Sequence, residues 1–155
     1  MEALDRTSYR AESRNVKITY DAPEGIEVIG DPEMLTVAVK NLIENAILYS
    51  DEGAPVGVGL RQVDDVAEIV VTDSGLGIPQ EDQARIFERF YRVDPSRSRS
   101  TGGTGLGLAI VKHVASTHNG EVKLFSKPGV GSTFTLRIPL ADKNVIEPDS
   151  DRSQP

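Results

Sequence analysis

Gly102-Gly103-Thr104-Gly105-Leu106-Gly107-Leu108 runs directly into Ala109-Ile110-Val111-Lys112-His113-Val114. Glycines packed this closely at the start of an apolar helical stretch expose several backbone N–H groups and the positive end of the helix dipole, an arrangement suited to an anion. The spacing is not that of a Walker loop, because no Gly-Lys-Ser/Thr follows. Nor is it the dinucleotide fingerprint, which would need Gly where Leu108 or Ile110 stands and a strand leading in. A phosphate cradle is the first reading and a merely flexible loop the second. The helix continues to about His118, where Asn119-Gly120 provides a stop signal.

Working upstream, Arg85, Arg89, Arg92, Arg97 and Arg99 stand against only Glu88 and Asp94, in a chain whose net charge is −7. That local reversal suits a polyanion, and a solvated helix face explains it equally well. A short helix is expected over Gln80–Phe90, followed by turn composition over Tyr91–Thr104. Before it, an apolar strand at Val66–Thr72 ends in Asp73-Ser74-Gly75-Leu76-Gly77-Ile78-Pro79. An Asp there, followed by glycines, lets a planar ring approach the backbone while the carboxylate accepts from an exocyclic amine. The competing reading is an Asp that satisfies N–H groups of its own turn.

The third constellation lies on a helix with clear start signals: Asp31 at the N-cap, Pro32 in the first turn, Glu33 near the positive dipole end. It runs to about Tyr49 and stops at Ser50-Asp51-Glu52-Gly53. At helical period, Leu35, Val39, Leu42, Ala46 and Tyr49 form a core stripe, widened by Ile43 and Ile47. Asn41 and Asn45 sit one turn apart on its flank, where an amide oxygen can ligate a hard cation without adding charge. Read alone, they are as easily two solvated carboxamides.

The remaining elements are a polar helix over 2–14 with Leu4 and Ala11 inward, and strands at Val16–Asp21, Ile26–Ile29, Pro55–Arg61, Glu121–Ser126 and Ser132–Pro139. Strands and helices without strict alternation predict an α+β fold, a two-layer α/β sandwich with a mixed sheet backed by about three helices. With 155 residues the chain reads as one domain over 1–140, followed by a polar, disordered tail at 141–155. It has no cysteine, which excludes disulfides and thiol nucleophiles, and only two His. The acidic balance disfavours nucleic acid, and no apolar run suits a membrane span or a signal peptide. His113 and His118 lie outside any metal spacing and read as helix-surface residues.

Taken in order, these blocks resemble the ATP-binding catalytic domain of sensor histidine kinases, within the gyrase–Hsp90–histidine kinase–MutL group and its Bergerat-type fold. Asn41-Leu-Ile-Glu-Asn45-Ala is similar to the N box, Asp73-Ser-Gly-Leu-Gly-Ile-Pro79 to the first glycine box, and Ile86-Phe-Glu-Arg-Phe-Tyr-Arg-Val-Asp94 to the F box. Gly103-Thr-Gly-Leu-Gly-Leu108 is similar to the second glycine box, and Gly129-Val-Gly-Ser-Thr133 to the last. The wording around Arg97–His113 resembles phosphate-responsive kinases of actinobacteria.

The resemblance implies ATP and Mg2+ as cofactors, with Asn45 on the metal and Asn41 beside it. It implies Asp73 on the adenine amine, helped by Gly77 and, through water, Ser132; Gly75 and Ile78 complete that end, and Tyr49 lines the base or ribose. Arg92 would approach the γ-phosphate, which makes Asn45 and Arg92 the catalytic pair. Gly103, Thr104, Gly105, Leu106, Gly107 and Leu108 would embrace the phosphates, and Tyr91–Thr104 would form a mobile lid. Leu48 departs from the pattern, since many relatives carry Lys there to reach the phosphates. ATPases of the group place a general-base Glu where Asn41 stands, so phosphoryl transfer is favoured over hydrolysis.

The implied partners are a dimerisation and histidine-phosphoacceptor domain of the same kinase and a response regulator. Neither His has the acidic neighbour of a phosphoacceptor, so the chain reads as the cytoplasmic catalytic fragment of a longer, membrane-anchored receptor. An anti-sigma-factor-type serine kinase and a non-catalytic nucleotide-binding regulatory module are the alternatives. The F-box run argues against the first, and Leu48 is the sole support of the second.

Overall fold

The computed structural model describes residues 2–91 and 106–141. Helix α1 (Glu2–Ser13) leads into strand β1 (Lys17–Asp21), and helix α2 (Pro32–Tyr49) into the hairpin β2 (Pro55–Val63) and β3 (Val66–Asp73). Then come α3 (Gln80–Gln83), α4 (Gly107–Thr117) and the hairpin β4 (Glu121–Lys127) and β5 (Gly131–Pro139). The sheet order is β1-β2-β3-β5-β4, with β1 parallel to β2 and every other pair antiparallel. This is the mixed sheet and two-layer α+β sandwich expected from the sequence.

One face of the sheet carries the core. Val56, Val71, Phe134, Leu136 and Ile138 pack there against Leu42, Ile43 and Ile47 of α2 and Val111 of α4, all almost wholly buried. The other face is polar at one end, where Arg61, Glu68, Arg137 and Glu121 stand opposite one another across four strands. Arg61 Nε meets Glu68 Oε1 at 2.7 Å and Arg137 NH1 meets Glu121 Oε2 at 3.0 Å. Arg137 Nε lies 2.9 Å from Glu68 Oε2 without the alignment of a hydrogen bond.

Local chemistry explains the helix ends. Asp31 Oδ1 accepts from the N–H groups of Glu33 (2.9 Å) and Met34 (3.2 Å), and Pro32 occupies the first turn. Asn119 adopts φ +60°, Gly120 N donates to Ala115 O at 2.8 Å, and Asn119 N donates to Ser116 O at 3.2 Å, closing α4 in a Schellman motif. Asn15 closes α1 in the same way. The last turn of α2 contains no basic residue of its own. Arg14 supplies the cation from α1's end, with Nε donating to Ile47 O (3.1 Å) and Nη2 to Ser50 O (2.7 Å). Arg14→Ala strips these carbonyls and is expected to cost about 1–2 kcal/mol; chemical denaturation reads the change, and an unaltered midpoint would refute the capping role.

Four expectations need correction. Ile26–Ile29 is not a strand: Val28 alone forms a bridge, to Leu140, and Ala141 N donates to Glu27 O at 2.9 Å, both just past the end of β5 at Pro139. The helix expected over Gln80–Phe90 is α-helical only to Gln83. Beyond it the chain winds in turns, with Glu88 N bonding Arg85 O and Tyr91 N bonding Glu88 O, and Phe90 reverses it at φ +67°. This lets adjacent Ile86 and Phe87 both reach the core, Phe87 standing edge-on to Phe134 at 6.2 Å. On α1, Ala3 and Thr7 are buried with Ala11, whereas Leu4 is only partly so. Thr7 tolerates burial because its hydroxyl donates to Ala3 O and Leu4 O at 3.0 Å. His113 is exposed as expected, but His118 is half-buried and bonded at both ring nitrogens. The tail from 142 onward lies outside the described residues.

Candidate functional site

The site is built along one flank of α2. Asn41, Asn45 and Tyr49 follow one another at single-turn spacing and all three are half-buried, so the row spans about 12 Å. At one end Gly107, the first residue of α4, packs on Asn41: a Cβ at Gly107 would stand 3.6 Å from Asn41 Cγ and 3.7 Å from its Oδ1. No side chain caps α4, whose N-cap position is Leu106. The helix thus opens beside the carboxamide end of the row. Leu106 and Leu108 are half-buried, and Leu108 packs against the core.

At the other end Gly75 lies on the Tyr49 carbonyl so closely that any Cβ would overlap it. Gly77, at φ +74°, lies equally close to the Lys127 carbonyl. These two close approaches require glycine, and they draw the end of β3 between α2 and the β4–β5 turn. Hydrogen bonds complete the junction. Gly129 N donates to Leu76 O at 2.7 Å, and Ile78 N donates to Ser126 Oγ at 2.7 Å. Ser126 Oγ also pairs with Ser132 Oγ at 2.8 Å. Ile78 itself is buried.

Asp73 sits in the middle of this junction, opposite Ser132 in the sheet and 5% exposed. Its Oδ1 accepts from Gly75 N at 2.9 Å. Burial pushes its carboxyl above the ordinary carboxylate range, and the N–H groups of Gly75 and Ser132 pull it back. A carboxylate offers about four lone-pair sites, so the bond to Gly75 leaves it able to accept from a ligand. The arrangement joins a buried anionic acceptor to a row of two carboxamides and the N-terminus of a helix. It suits a ligand with an amine-bearing base at one end and anions at the other.

Gly107 is thus brought to Asn41, and Gly75 to Tyr49 and Asp73, with Asp73 opposite Ser132 and Gly77 and Ile78 tied to the β4–β5 hairpin; Asn45 lies between Asn41 and Tyr49 on α2, and Leu106 and Leu108 flank Gly107. Arg92, Gly103, Thr104 and Gly105 lie outside the described residues, as does nearly all of the expected lid. Ser126 and Arg14 escaped the sequence reading, and no spacing or composition signal marks either. Among the described residues no three His, Asp or Glu side chains converge as a metal cluster. A cation here would rest on carboxamide oxygen and on the ligand's own phosphates.

Residues 30–142 match the family model of histidine kinase-, DNA gyrase B- and HSP90-like ATPases. The chain belongs to that family. A solved structure of the mycobacterial sensor histidine kinase MprB is 34% identical, covers 90% of this chain and 94% of its own, and superposes with a TM-score of 0.75. The sensor-like histidine kinase SenX3 of Mycolicibacterium smegmatis is 55% identical over 138 residues, 89% of this chain and 36% of SenX3. Full-length ShkA, solved in complex with AMPPNP, has a TM-score of 0.76 at 27% identity, over 90% of this chain and 29% of ShkA. The chain therefore spans about a third of the length of the curated relatives it matches. Its domain is of the histidine-kinase catalytic type, an ATP-binding domain, and its relatives include mycobacterial sensor kinases. Among the described residues no helix is long and apolar enough to cross a membrane.

Proposed function

We propose that residues 1–140 form a domain that binds ATP with Mg2+ and passes the γ-phosphoryl group to a histidine on a dimerisation and phosphoacceptor domain, from which a response regulator is charged. The observation that carries this is the Asn41–Asn45–Tyr49 row, which ends on Gly107 at one side and on Asp73 and Gly75 at the other. Asp73 accepts from the adenine amine, Gly75 and Gly77 admit the ring against backbone, and Tyr49 lines the base. Asn45 offers its amide oxygen to the metal, which when bound neutralises charge building on the phosphates. The N–H groups opening α4 receive the phosphates, with Gly103, Thr104, Gly105 and Arg92 completing that end. In the full-length protein this would be the cytoplasmic part of a receptor anchored in the cell membrane. The AMPPNP in ShkA supports the nucleotide reading.

Transfer rather than hydrolysis follows from Asn41, a carboxamide that cannot take a proton from water. His113 is exposed on α4, six residues and about 9 Å along the axis from Gly107. It rides on the donor's own scaffold, on the helix that opens the proposed phosphate end. The isolated chain is therefore expected to bind ATP, hydrolyse it very slowly and leave itself unlabelled. With γ-labelled ATP and a phosphoacceptor hairpin from a mycobacterial relative supplied in trans, acid-labile phosphate is expected on the hairpin histidine. Acid-stable phosphoserine on another partner would support the serine-kinase alternative, and label on this chain abolished by His113→Ala would refute the donor reading. In calorimetry, Mg2+ should tighten ATP binding to the wild type, and Asn45→Ala should erase that difference. An undiminished Mg2+ effect in the variant would remove Asn45 from the metal.

A further inference from the structure

His118 is bonded at both ring nitrogens. Nδ1 lies 2.8 Å from Val114 O, a carbonyl that can only accept, so Nδ1 carries the proton. Nε2 is then a bare lone pair, and it accepts from the backbone N–H of Asp31 at 3.1 Å. Asp31 is the N-cap of α2. In a capping box, the N–H of the N-cap is satisfied by a Glu or Gln three residues on. Here that position is Met34, whose thioether is only a weak acceptor. The imidazole from the end of α4 takes over that duty across 87 residues of sequence. Gly30 belongs to the same contact, because a Cβ there would overlap His118 Cδ2.

Helices α2 and α4 therefore meet at two defined points. One is Asn41 on Gly107, at the proposed phosphate end of the cleft; the other is Asp31 on His118, at the opposite end of α4. Buried apolar residues of both helices pack between these two contacts, which bracket the crossing at its ends. We propose that His118, in its neutral Nδ1–H form, is a positioning residue that locks the crossing of α2 and α4 and so holds the N-terminus of α4 over the carboxamide row. The claim of a nucleotide effect rests on the ATP-binding reading above; the tie itself does not. The polar groups bonded to the ring are Val114 O and Thr117 Oγ1 from α4 and the Asp31 N–H from the start of α2. The Asp31 carboxylate already serves Glu33 N and Met34 N. Protonating Nε2 would set one N–H against another and break the tie.

Nitrogen NMR on the His-labelled chain should report a protonated Nδ1 and a bare Nε2 at His118 at pH 7.5; the opposite tautomer would overturn the proposal. His118→Ala should weaken ATP about 10-fold while moving adenosine, which lacks phosphates, less than 2-fold. His118→Gln, whose amide oxygen can still accept from Asp31 N–H, should recover ATP affinity to within about 3-fold of wild type. Equal losses for ATP and adenosine, or no loss for either, would also refute it. If His118→Ala fails to fold, Gly30→Ala attacks the same contact from α2's side and should give the same ATP-selective loss. Should the wild type bind neither ligand, the nucleotide reading falls, and the tautomer with the exchange rate of the Asp31 amide decides the tie on its own.

Discussion

Asp73→Asn lowers ATP affinity about 100-fold, roughly 2.7 kcal/mol, while leaving the ligand-free domain folded and more stable at neutral pH. The loss is the larger effect. Oδ1 of Asp73 is committed to the Gly75 N–H, and an asparagine keeps that bond with its own Oδ1. Its NH2 then occupies the position of the second carboxylate oxygen and faces the adenine amine, donor against donor. A hydrogen bond to a charged group contributes about 1.5–3 kcal/mol, and replacing it by an opposed pair adds to the deficit. The gain in stability has the opposite sign for a stated reason. Burial holds the folded-state carboxyl above its ordinary range, so the folded domain binds that proton more tightly than the unfolded chain does. The ionised form destabilises the fold at neutral pH, and this cost disappears as pH falls through the raised value. Thermal melts from pH 4 to 7.5 should therefore show a steeper fall with rising pH in the wild type than in the variant. Calorimetry giving equal ATP affinities would remove Asp73 from the adenine site.

Gly75→Ala is expected to cost about 2–3 kcal/mol of stability and to abolish measurable ATP binding. Its Cβ would fall on the Tyr49 carbonyl and come within 3.1 Å of Asp73 Oδ1. That carbonyl is backbone at the end of a helix whose neighbouring carbonyls, Ile47 and Ser50, are held by Arg14. The obstacle cannot turn aside as a flexible side chain could, so the loop itself must move. Since Gly75 N is the donor to Asp73, moving the loop also misplaces the carboxylate. Gly57→Ala is the matched control: its nearest atom would be Thr19 Oγ1 at an ordinary 3.7 Å. That change should stay within about 0.5 kcal/mol. Equal stability of the two variants in urea would show that the Tyr49–Gly75 approach is not a constraint.

Legibility in the sequence followed the range of the interactions. The start of α2 was readable because Asp31, Pro32 and Glu33 act within one turn, and the capping bonds lie where those residues place them. The close of α4 at Asn119-Gly120 was readable for the same reason. The carboxamide row of Asn41 and Asn45 followed from helical period alone. Segment 80–90 failed because its composition permits a helix while its packing does not. Bringing both Ile86 and Phe87 to the core, with Phe90 at φ +67°, outweighed the backbone preference. Tyr91 is returned to Asp82, whose carboxylate accepts from its hydroxyl, with Arg85 over the ring at 4.6 Å. Ile26–Ile29 failed because a strand needs a ladder, and among the described residues this segment meets Leu140 and Ala141 past the end of β5.

By itself the sequence determined where α1, α2, α4 and the five strands lie, and it placed the carboxamide and glycine residues of the candidate site. Those outcomes rest on capping, periodicity and turn chemistry, which act over a few residues. Only the tertiary structure decided that β5 inserts between β3 and β4, bringing Ser132 opposite Asp73. It alone decided that Arg14 caps α2, that Ser126 joins Ile78 to Ser132, and that His118 completes the cap at Asp31. Each of these bonds joins groups brought together when the apolar faces of the sheet and helices are buried. Before that burial water satisfies the same groups equally well, so no local pattern of residues announces them.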